Sequence, residues 1–383
     1  MNASSMVWGT RTASLMVLLS AMLVTVCESV AAPPSKPPPA SLDADIAYMS
    51  ISNNAAGSMW LSAAIRATAL DAEGQASSDA EIWKADTRFT AAIAWDPDGR
   101  YVFWVQEVDR KGTRALMSAA PGTIPRVVFV FSNSSLRFSQ VSDGLVSGPG
   151  CGSTPVVYFW GVMATTNRGS LWVLDPFAAS PQPREVYRPD VPPPGEVGGS
   201  LQGLAISPLG RQLVFGAYSV ELGERAAVAL PLVCNSAAVL PDAAGLPQPM
   251  FLARYDADKA WIQSFDWSRD GRRVVVAMGR WVAAPGGAYV YDPELWVADL
   301  NYAAVDGAEQ VSVASLAHVP SGAAVHPSWA PSVVTGNCDR LAFNRGDAIW
   351  LFDLPRQGFQ ASDCDFSVPR AIGGKAAAVL DWK

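Results

Sequence analysis

Histidine is almost missing from this chain, with two in 383 residues, His318 and His326. A structural zinc centre built on imidazole is therefore a poor expectation, and the cysteines lack the short spacings of a zinc or redox motif. Charge is scarce too: 16% of residues are Asp, Glu, Lys or Arg, and the formal net charge is −7. Without clustered Lys and Arg there is no electrostatic footprint for nucleic acid. No Gly-x-Ser-x-Gly nucleophile elbow occurs anywhere. Past the N-terminal region, no apolar run is long enough to cross a bilayer as a helix. No cofactor or metal is expected.

The one long apolar run, Ala13 to Val26, follows a single charge, Arg11, and precedes Ser29-Val30-Ala31. This is the form of a secretory signal over residues 1–31, with cleavage after Ala31 or Ala32. Cys27 invites a lipoprotein reading, but Val26 before it is too bulky for that processing site. Residues 32–44 read as a Pro-rich linker, and 45–383 as one domain. A periplasmic or secreted location follows, where disulfides persist. Cys338 and Cys364 are expected to pair within one repeat; Cys151 and Cys234 either link adjacent repeats or remain buried thiols.

What the chain does contain is a repeat. Trp60, Leu116, Trp172 and Val228 follow one another at steps of 56 residues, with Trp296 and Trp350 continuing after steps of 68 and 54. Four segments carry a fuller pattern, of which Trp267-Ser268-Arg269-Asp270-Gly271-Arg272-Arg273-Val274-Val275-Val276 is the best copy. Trp95-Asp96-Pro97-Asp98-Gly99 and Ile206-Ser207-Pro208-Leu209-Gly210 are close relatives, and Ser328-Trp329-Ala330-Pro331 resumes after an insertion at Asp339-Arg340-Leu341. Each reads as a short strand ending in a large side chain, a tight turn using Pro and Gly, and a second apolar strand.

Four antiparallel strands in some 56 residues, repeated radially, make β-propeller blades. The fold expected is all-β, a six-bladed propeller of four-stranded blades. Second strands begin near Ile46, Tyr101, Val156, Leu213, Val274 and Leu341. No turn motif precedes Ile46, whereas Leu380-Asp381-Trp382 at the C-terminus matches Phe265-Asp266-Trp267. The C-terminal strand should thus complete blade one and close the ring. Helix is expected to be very low, with one short piece allowed around Ala69 to Lys84.

The pattern resembles the TolB-like, or WD40-like, propeller repeats, whose hallmark is a Trp-Ser-Pro-Asp-Gly string running into an apolar strand. The resemblance covers residues 45–382 and implies a six-bladed propeller. It does not imply one activity. TolB carries an additional N-terminal α/β domain, for which this chain has no expected room, and some oligopeptidases add a hydrolase domain. The lyases that share the propeller depend on a histidine cluster and a metal, which two histidines cannot supply.

Candidate residues are few. Trp60, Trp172, Trp296 and Trp350 recur at structural positions and read as packing. Asp98, Asp270 and Asp339 read as turn residues, with calcium as the competitor; Asp363 and Asp365 beside Cys364 are too few for a metal. The most individual segments are the blade-five insertion, carrying Arg280, Trp281, Tyr289 and Tyr291, and Phe129-Val130-Phe131-Ser132-Asn133 in blade two. Aromatics beside an Arg suit a protein partner, unless the insertion merely lengthens a hairpin. His326 should stand at the rim of the central channel; His318 ends a strand. The leading expectation is a monomeric, non-enzymatic exported propeller binding an envelope or extracellular protein or a cell-wall polymer. The alternative is a lyase or hydrolase acting on a polysaccharide or small molecule in the central channel.

Overall fold

A computed structural model describes residues 46–53, 60–71, 75–85, 89–109, 113–120, 122–132, 138–150, 154–166, 168–188, 202–219, 224–235, 238–241, 248–252, 260–283, 285, 287, 289–305, 308–330, 337–346, 348–356, 360–373 and 380–382. Residues 1–45, which include the expected signal, Cys27 and the linker, lie outside this set, as does Cys151 and the side chain of Cys234. Among the described residues no helix is long and apolar enough to cross a membrane.

The chain builds six antiparallel sheets, each one blade. Five are four-stranded, and the fourth blade carries an extra strand, Ala238–Pro241, hairpinned onto Glu224–Asn235. The second strands are Ile46–Asn53, Val102–Glu107, Pro155–Met163, Gln212–Ser219, Arg273–Ala283 and Cys338–Arg345. They fall where the repeat in the sequence puts them. The innermost strands, in blade order, are Leu380–Trp382, Phe89–Trp95, Phe138–Pro149, Gln202–Ile206, Ala260–Trp267 and Val325–Trp329. Each touches the next, and the last touches the first. The C-terminal strand closes the ring by antiparallel pairing, with Ile46 opposite Trp382, Ala47 opposite Asp381 and Tyr48 opposite Leu380.

The core explains why the second strands are apolar at nearly every position. Among the described residues there are six hydrophobic clusters, and each draws on two neighbouring blades. In blade two, Val102 and Trp104 face blade one, while Phe103 and Val105 face blade three. All four are fully buried. A strand buried on both faces loses the apolar–polar alternation of a half-exposed sheet, because both sides of the pleat must leave water. Burying each such side chain contributes about 1.5–3 kcal/mol.

The turn after each innermost strand is built the same way three times. The N–H groups of Gly99, Gly210 and Gly271 donate to the carbonyls of Asp96, Ser207 and Ser268, and those three residues' own N–H groups donate to Tyr101, Gln212 and Arg273. The glycines have φ between 65° and 71°, a region closed to most residues with a Cβ. The first side chain then caps the turn: Asp96 Oδ1 accepts from the Tyr101 N–H at 2.8 Å, Ser207 Oγ from Gln212 at 3.0 Å and Ser268 Oγ from Arg273 at 2.8 Å.

Three expectations need correction. Residues 69–84 contain no described helix; Trp60–Leu70 and Ala76–Ala85 are paired strands. The alanines favour helix, but Ile65 and Ala67 are needed in the core shared with blade two, and tertiary burial overrides a weak local preference. Phe129 and Phe131 are not part of a recognition loop. They are 8% and 1% exposed and pack edge-on in an aromatic group with Phe138 and Phe159. Asp339 is not a turn residue: it is the second residue of the strand Cys338–Arg345 and pairs with Arg356 at 2.8 Å and with Arg273 of blade five at 3.3 Å.

Among the recurrent tryptophans, Trp172 is a core residue, while Trp296 and Trp350 are half-buried. Trp350 lies 4.9 Å from the Arg345 guanidinium, and the Trp60 side chain is outside the described residues. Cys338 and Cys364 form a disulfide, with Cα atoms 5.8 Å apart. It ties the start of the second strand of blade six to the connection leading into that blade's outer strand, Arg370–Gly373.

Candidate functional site

In the central channel, polar side chains from several blades converge. At corresponding positions, immediately before Trp267, Trp329 and Trp382, stand Asp266, Ser328 and Asp381. Each reaches sideways to the next blade. Asp266 Oδ2 accepts the Trp329 N–H at 2.7 Å, Ser328 Oγ accepts the Trp382 N–H at 3.0 Å, and Asp381 Oδ2 accepts the Trp95 N–H at 2.6 Å. This girdle of hydrogen bonds runs from blade five through six and one to blade two. Blades two and four carry Ala94 and Ala205 before Trp95 and Ile206, and the girdle stops there.

Ser328 also links the two acids. Its Oγ lies 3.1 Å from Asp266 Oδ2 and 3.4 Å from Asp381 Oδ1. A hydroxyl has one proton and two lone pairs, and the Trp382 N–H uses one lone pair. All contacts are satisfied at once only when one carboxyl is protonated, donating to Ser328 while Ser328 donates to the other. The electrostatics agree. Burial raises the Asp266 carboxyl to about 7, with repulsion from Asp381 adding to it, against N–H donors that lower it. Burial likewise raises Asp381 to about 6. The acids titrate as a pair.

Two small chambers open on this waist. One, of about 120 Å³, lies at the turn end and is lined by Trp95, Asp96, Val146, Ile206, Trp267 and Trp329 among others, together with Asp266 and Asp381. The other, of about 70 Å³, is lined by Gln263, Ser264 and His326 with Asp266, Ser328 and Asp381. The ladder between the innermost and second strands is irregular beside it in five blades, between Phe89 and Ile93, Val141 and Leu145, Gln202 and Ala205, Ile262 and Ser264, and Val325 and Ser328. Such irregularities re-aim side chains.

His326 sits at one of them with φ of 50°, unusual for a residue with a Cβ. Its N–H donates to Ser264 Oγ at 3.2 Å. Burial depresses its ring to about 4, so the imidazole is neutral and Nε2 accepts from the Gln263 amide at 3.3 Å.

The residues picked out from the sequence are therefore split. His326 lines the channel. Arg280, Trp281, Tyr289 and Tyr291 lie on a hairpin in which Trp281 faces Tyr291 and Ala283 faces Tyr289. None of these four is among the described residues lining either chamber. Among the described residues the innermost strand of blade five pairs as far as Arg280, opposite Ala260, and the pairs beyond it join two strands, Trp281 with Tyr291 through Ala283 with Tyr289. The insertion does lengthen a hairpin. Val290 on it is 52% exposed; the side chains of Trp281 and Tyr289 are outside the described residues.

His318 approaches Glu294 at 3.9 Å on the surface. Asp98 pairs with Arg100, and Asp270 Oδ1 accepts from Ser268 and Arg272. Asp363 caps the turn before Cys364, and Asp365 lies 3.6 Å from Arg340. Among the described residues, no three His, Cys, Asp or Glu side chains gather as a metal site.

Sequence reasoning passed over Asp266, Ser328 and Asp381. The available signal was a polar residue before Trp in three repeats that become neighbours only when the ring closes.

The sequence matches no family model and no curated protein. Solved structures share the fold distantly. Prolyl oligopeptidase B from Galerina marginata aligns with a TM-score of 0.44 and 10% identity, over 89% of this chain and 43% of that one. A puromycin-hydrolyzing peptidase of Mycobacterium tuberculosis aligns at 0.45 and 15%, over 74% and 38%. The chain thus spans less than half the length of these two peptidases. The β-propeller domain of Myceliophteria thermophila Cps50 (Swd1) aligns at 0.40 and 11%, over 88% and 90%. At these identities the likeness concerns the fold alone.

Proposed function

We propose that this protein is an exported, monomeric, TolB-like propeller that binds an envelope or extracellular partner, a protein or a cell-wall polymer, without catalysing a reaction. The observation that carries this reading is how the channel carboxylates are used. Every oxygen of Asp266 and Asp381 is already engaged in a hydrogen bond within the protein. The chambers beside them, about 120 and 70 Å³, fall well short of the roughly 300 Å³ at which small-molecule sites begin. Recognition would then fall on the outside of the disk, and the hairpin beyond Arg280, where Val290 is exposed, is the element proposed for it. Envelope extract should yield a partner with the intact protein and lose it when residues 281–290 are replaced by a two-residue turn. An unchanged set of captured proteins would reject this surface.

One observation favours an enzyme instead. Two carboxyls with values near 7 and 6, linked by a serine, are poised for proton transfer at neutral pH. A lyase or hydrolase would use them as general acid and base. Turnover of any polysaccharide or ester substrate that vanishes in Asp266→Asn, with the fold retained, would replace the binding reading by this one.

A further inference from the structure

We propose that the turn-end face of blades four and five is a docking surface for an acidic segment of a partner protein. It rests on how the arginines are used. Arg66, Arg100, Arg188, Arg273, Arg340 and Arg356 each form an ion pair. Arg114 and Arg126 donate to backbone carbonyls, Arg345 and Arg370 lie over aromatic rings, and Arg184 and Arg280 also have partners. Among the described arginine side chains, that leaves Arg211, Arg269 and Arg272 without a hydrogen bond, ion pair or ring contact. All three are exposed, and all three stand in two adjoining turns, after Ile206 in blade four and after Trp267 in blade five.

The two turns form one surface. Leu209 follows Pro208 in the blade-four turn, and Pro208 Cδ lies 3.9 Å from the place a Cβ would take on Gly271 in the blade-five turn. The Gly271 carbonyl accepts from the Tyr302 hydroxyl. Tyr302 reaches the turn because the strand Tyr289–Val305 runs past Asp299, the partner of Arg273, and the Leu300 N–H donates to the Arg272 carbonyl. Leu209 is 74% exposed and Tyr302 41%. The Ser207 and Ser268 caps hold both turns, so these side chains are presented from a fixed backbone. Tyrosine and arginine dominate protein-binding hot spots, and Leu209 adds an exposed apolar contact.

Charge selects the partner. Asp270 is the one acid in the two turns, and its Oδ1 accepts from Ser268 Oγ and the Arg272 N–H. Three arginines less one aspartate leave a charge of +2 in a chain whose formal net charge is −7. Arg269 also lines the turn-end chamber with Asp266 and Asp381, but those carboxyls are engaged in the girdle and Arg269 pairs with neither. Guanidinium groups bind carboxylates through paired hydrogen bonds. A nucleic acid calls for a longer run of cations, without an aspartate among them. A segment with carboxylates for the arginines and one apolar residue for Leu209 and Tyr302 matches the surface. The hairpin beyond Arg280 is a separate place: the eleven residues of Arg273–Ala283 that lead to it span roughly 33 Å at about 3.3 Å each.

The test is a nuclear magnetic resonance titration of the purified protein at low ionic strength, where exposed charges are least screened. The probes are the peptide acetyl-Asp-Glu-Leu-Glu-Asp-amide, its Asn/Gln counterpart, inorganic phosphate and phosphatidylglycerol vesicles. The acidic peptide should shift the Gly210 and Gly271 amide signals and the Arg269 and Arg272 Nε–H signals saturably, and the Asn/Gln peptide should not. Arg269→Gln with Arg272→Gln should weaken binding by about fivefold or more at unchanged melting temperature, since neither side chain has a contact to lose. Leu209→Ser should weaken it about threefold and serves if the double variant does not fold. Arg100→Gln is the control: Arg100 stands in the equivalent turn of blade two but is paired with Asp98, and its removal should leave affinity within about twofold.

Absence of saturable shifts, equal binding of the Asn/Gln peptide, full affinity in the folded variants, or an equal loss in Arg100→Gln would each overturn the proposal. So would saturation by phosphate at lower concentration than by the peptide, or sedimentation of the protein with the vesicles, which would point to a phosphate group or a membrane as the occupant. Self-association abolished by the double arginine variant would assign the surface to a second copy and overturn it as well. Residues 281–290 are intact in every variant, so none of these outcomes bears on the reading of that hairpin.

Discussion

At the scale of single residues, the girdle makes stability depend on pH in a direction opposite to that of most aspartates. A carboxyl that is harder to ionise when folded keeps its proton in the native state and releases it on unfolding. Between its ordinary value of 3.8 and the folded values of about 6 and 7, native protein therefore binds more protons than unfolded chain. The contribution of Asp266 and Asp381 is thus lost as pH rises from about 4 to about 7. Asp266→Asn should flatten that decline, seen as a melting-temperature difference from wild type that grows more favourable with pH. Parallel curves for the two proteins from pH 4 to 8 would contradict the assignment. His326 acts oppositely: its folded value of about 4 lies below 6.5, so its contribution is lost as pH falls through that window. His326→Asn, which tolerates the positive φ, should remove that acid-side loss.

The buried Arg340–Asp353 pair gives a second residue-scale prediction. Both are nearly inaccessible, bonded twice at 2.7 and 2.9 Å, and Asp353 also accepts the Phe366 N–H. Asp353→Ala leaves a buried guanidinium unpaired and should cost about 3–5 kcal/mol in urea denaturation. Replacing both partners together, as Arg340→Met with Asp353→Leu, should recover most of that. A single variant within 1 kcal/mol of wild type would show that Arg340 finds another partner, with Asp365 at 3.6 Å as the first suspect.

At the scale of elements, blade six carries the disulfide beside the junction where the ring closes. Cys338 and Cys364 are 26 residues apart. Chain entropy for a loop of that size suggests roughly 3 kcal/mol. Reduction should lower the thermal midpoint by several degrees and expose sites in the last blade to protease first. Identical melting with and without reductant would mean that packing of Phe366 and Phe352 alone holds the connection. The Cys338–Cys364 pairing was readable because both cysteines fall inside one repeat. The fate of Ala69 to Lys84 was not, since alanine alternation serves helix or strand equally until a neighbouring blade claims one face.

At the scale of the molecule, the ring closes through three residues, Leu380–Trp382. They complete blade one, and Trp382 enters the core between blades six and one. Asp381 reaches blade two, and Ser328 receives the Trp382 N–H. Removing residues 376–382 therefore takes away a strand, a core tryptophan and two girdle bonds. The loss should exceed the ~3–5 kcal/mol of a single buried Trp→Ala change. An unaltered melting temperature would mean that the ring does not depend on this closure.

The sequence alone determined the architecture: six blades, their second strands, the closing strand and the pairing within blade six. It could do so because these follow from periodicity, turn chemistry and local spacing, which are written contiguously along the chain. Only the tertiary structure decided the channel. Asp96, Asp266, Ser328 and Asp381 come from four innermost strands or the turns that follow them, and nothing in their own segments distinguishes an acid facing the channel from an acid capping a turn. Their proximity, and the proton that Asp266 and Asp381 share, exist only once the ring has closed, because closure is what brings residues 285 positions apart, Asp96 and Asp381, to one chamber.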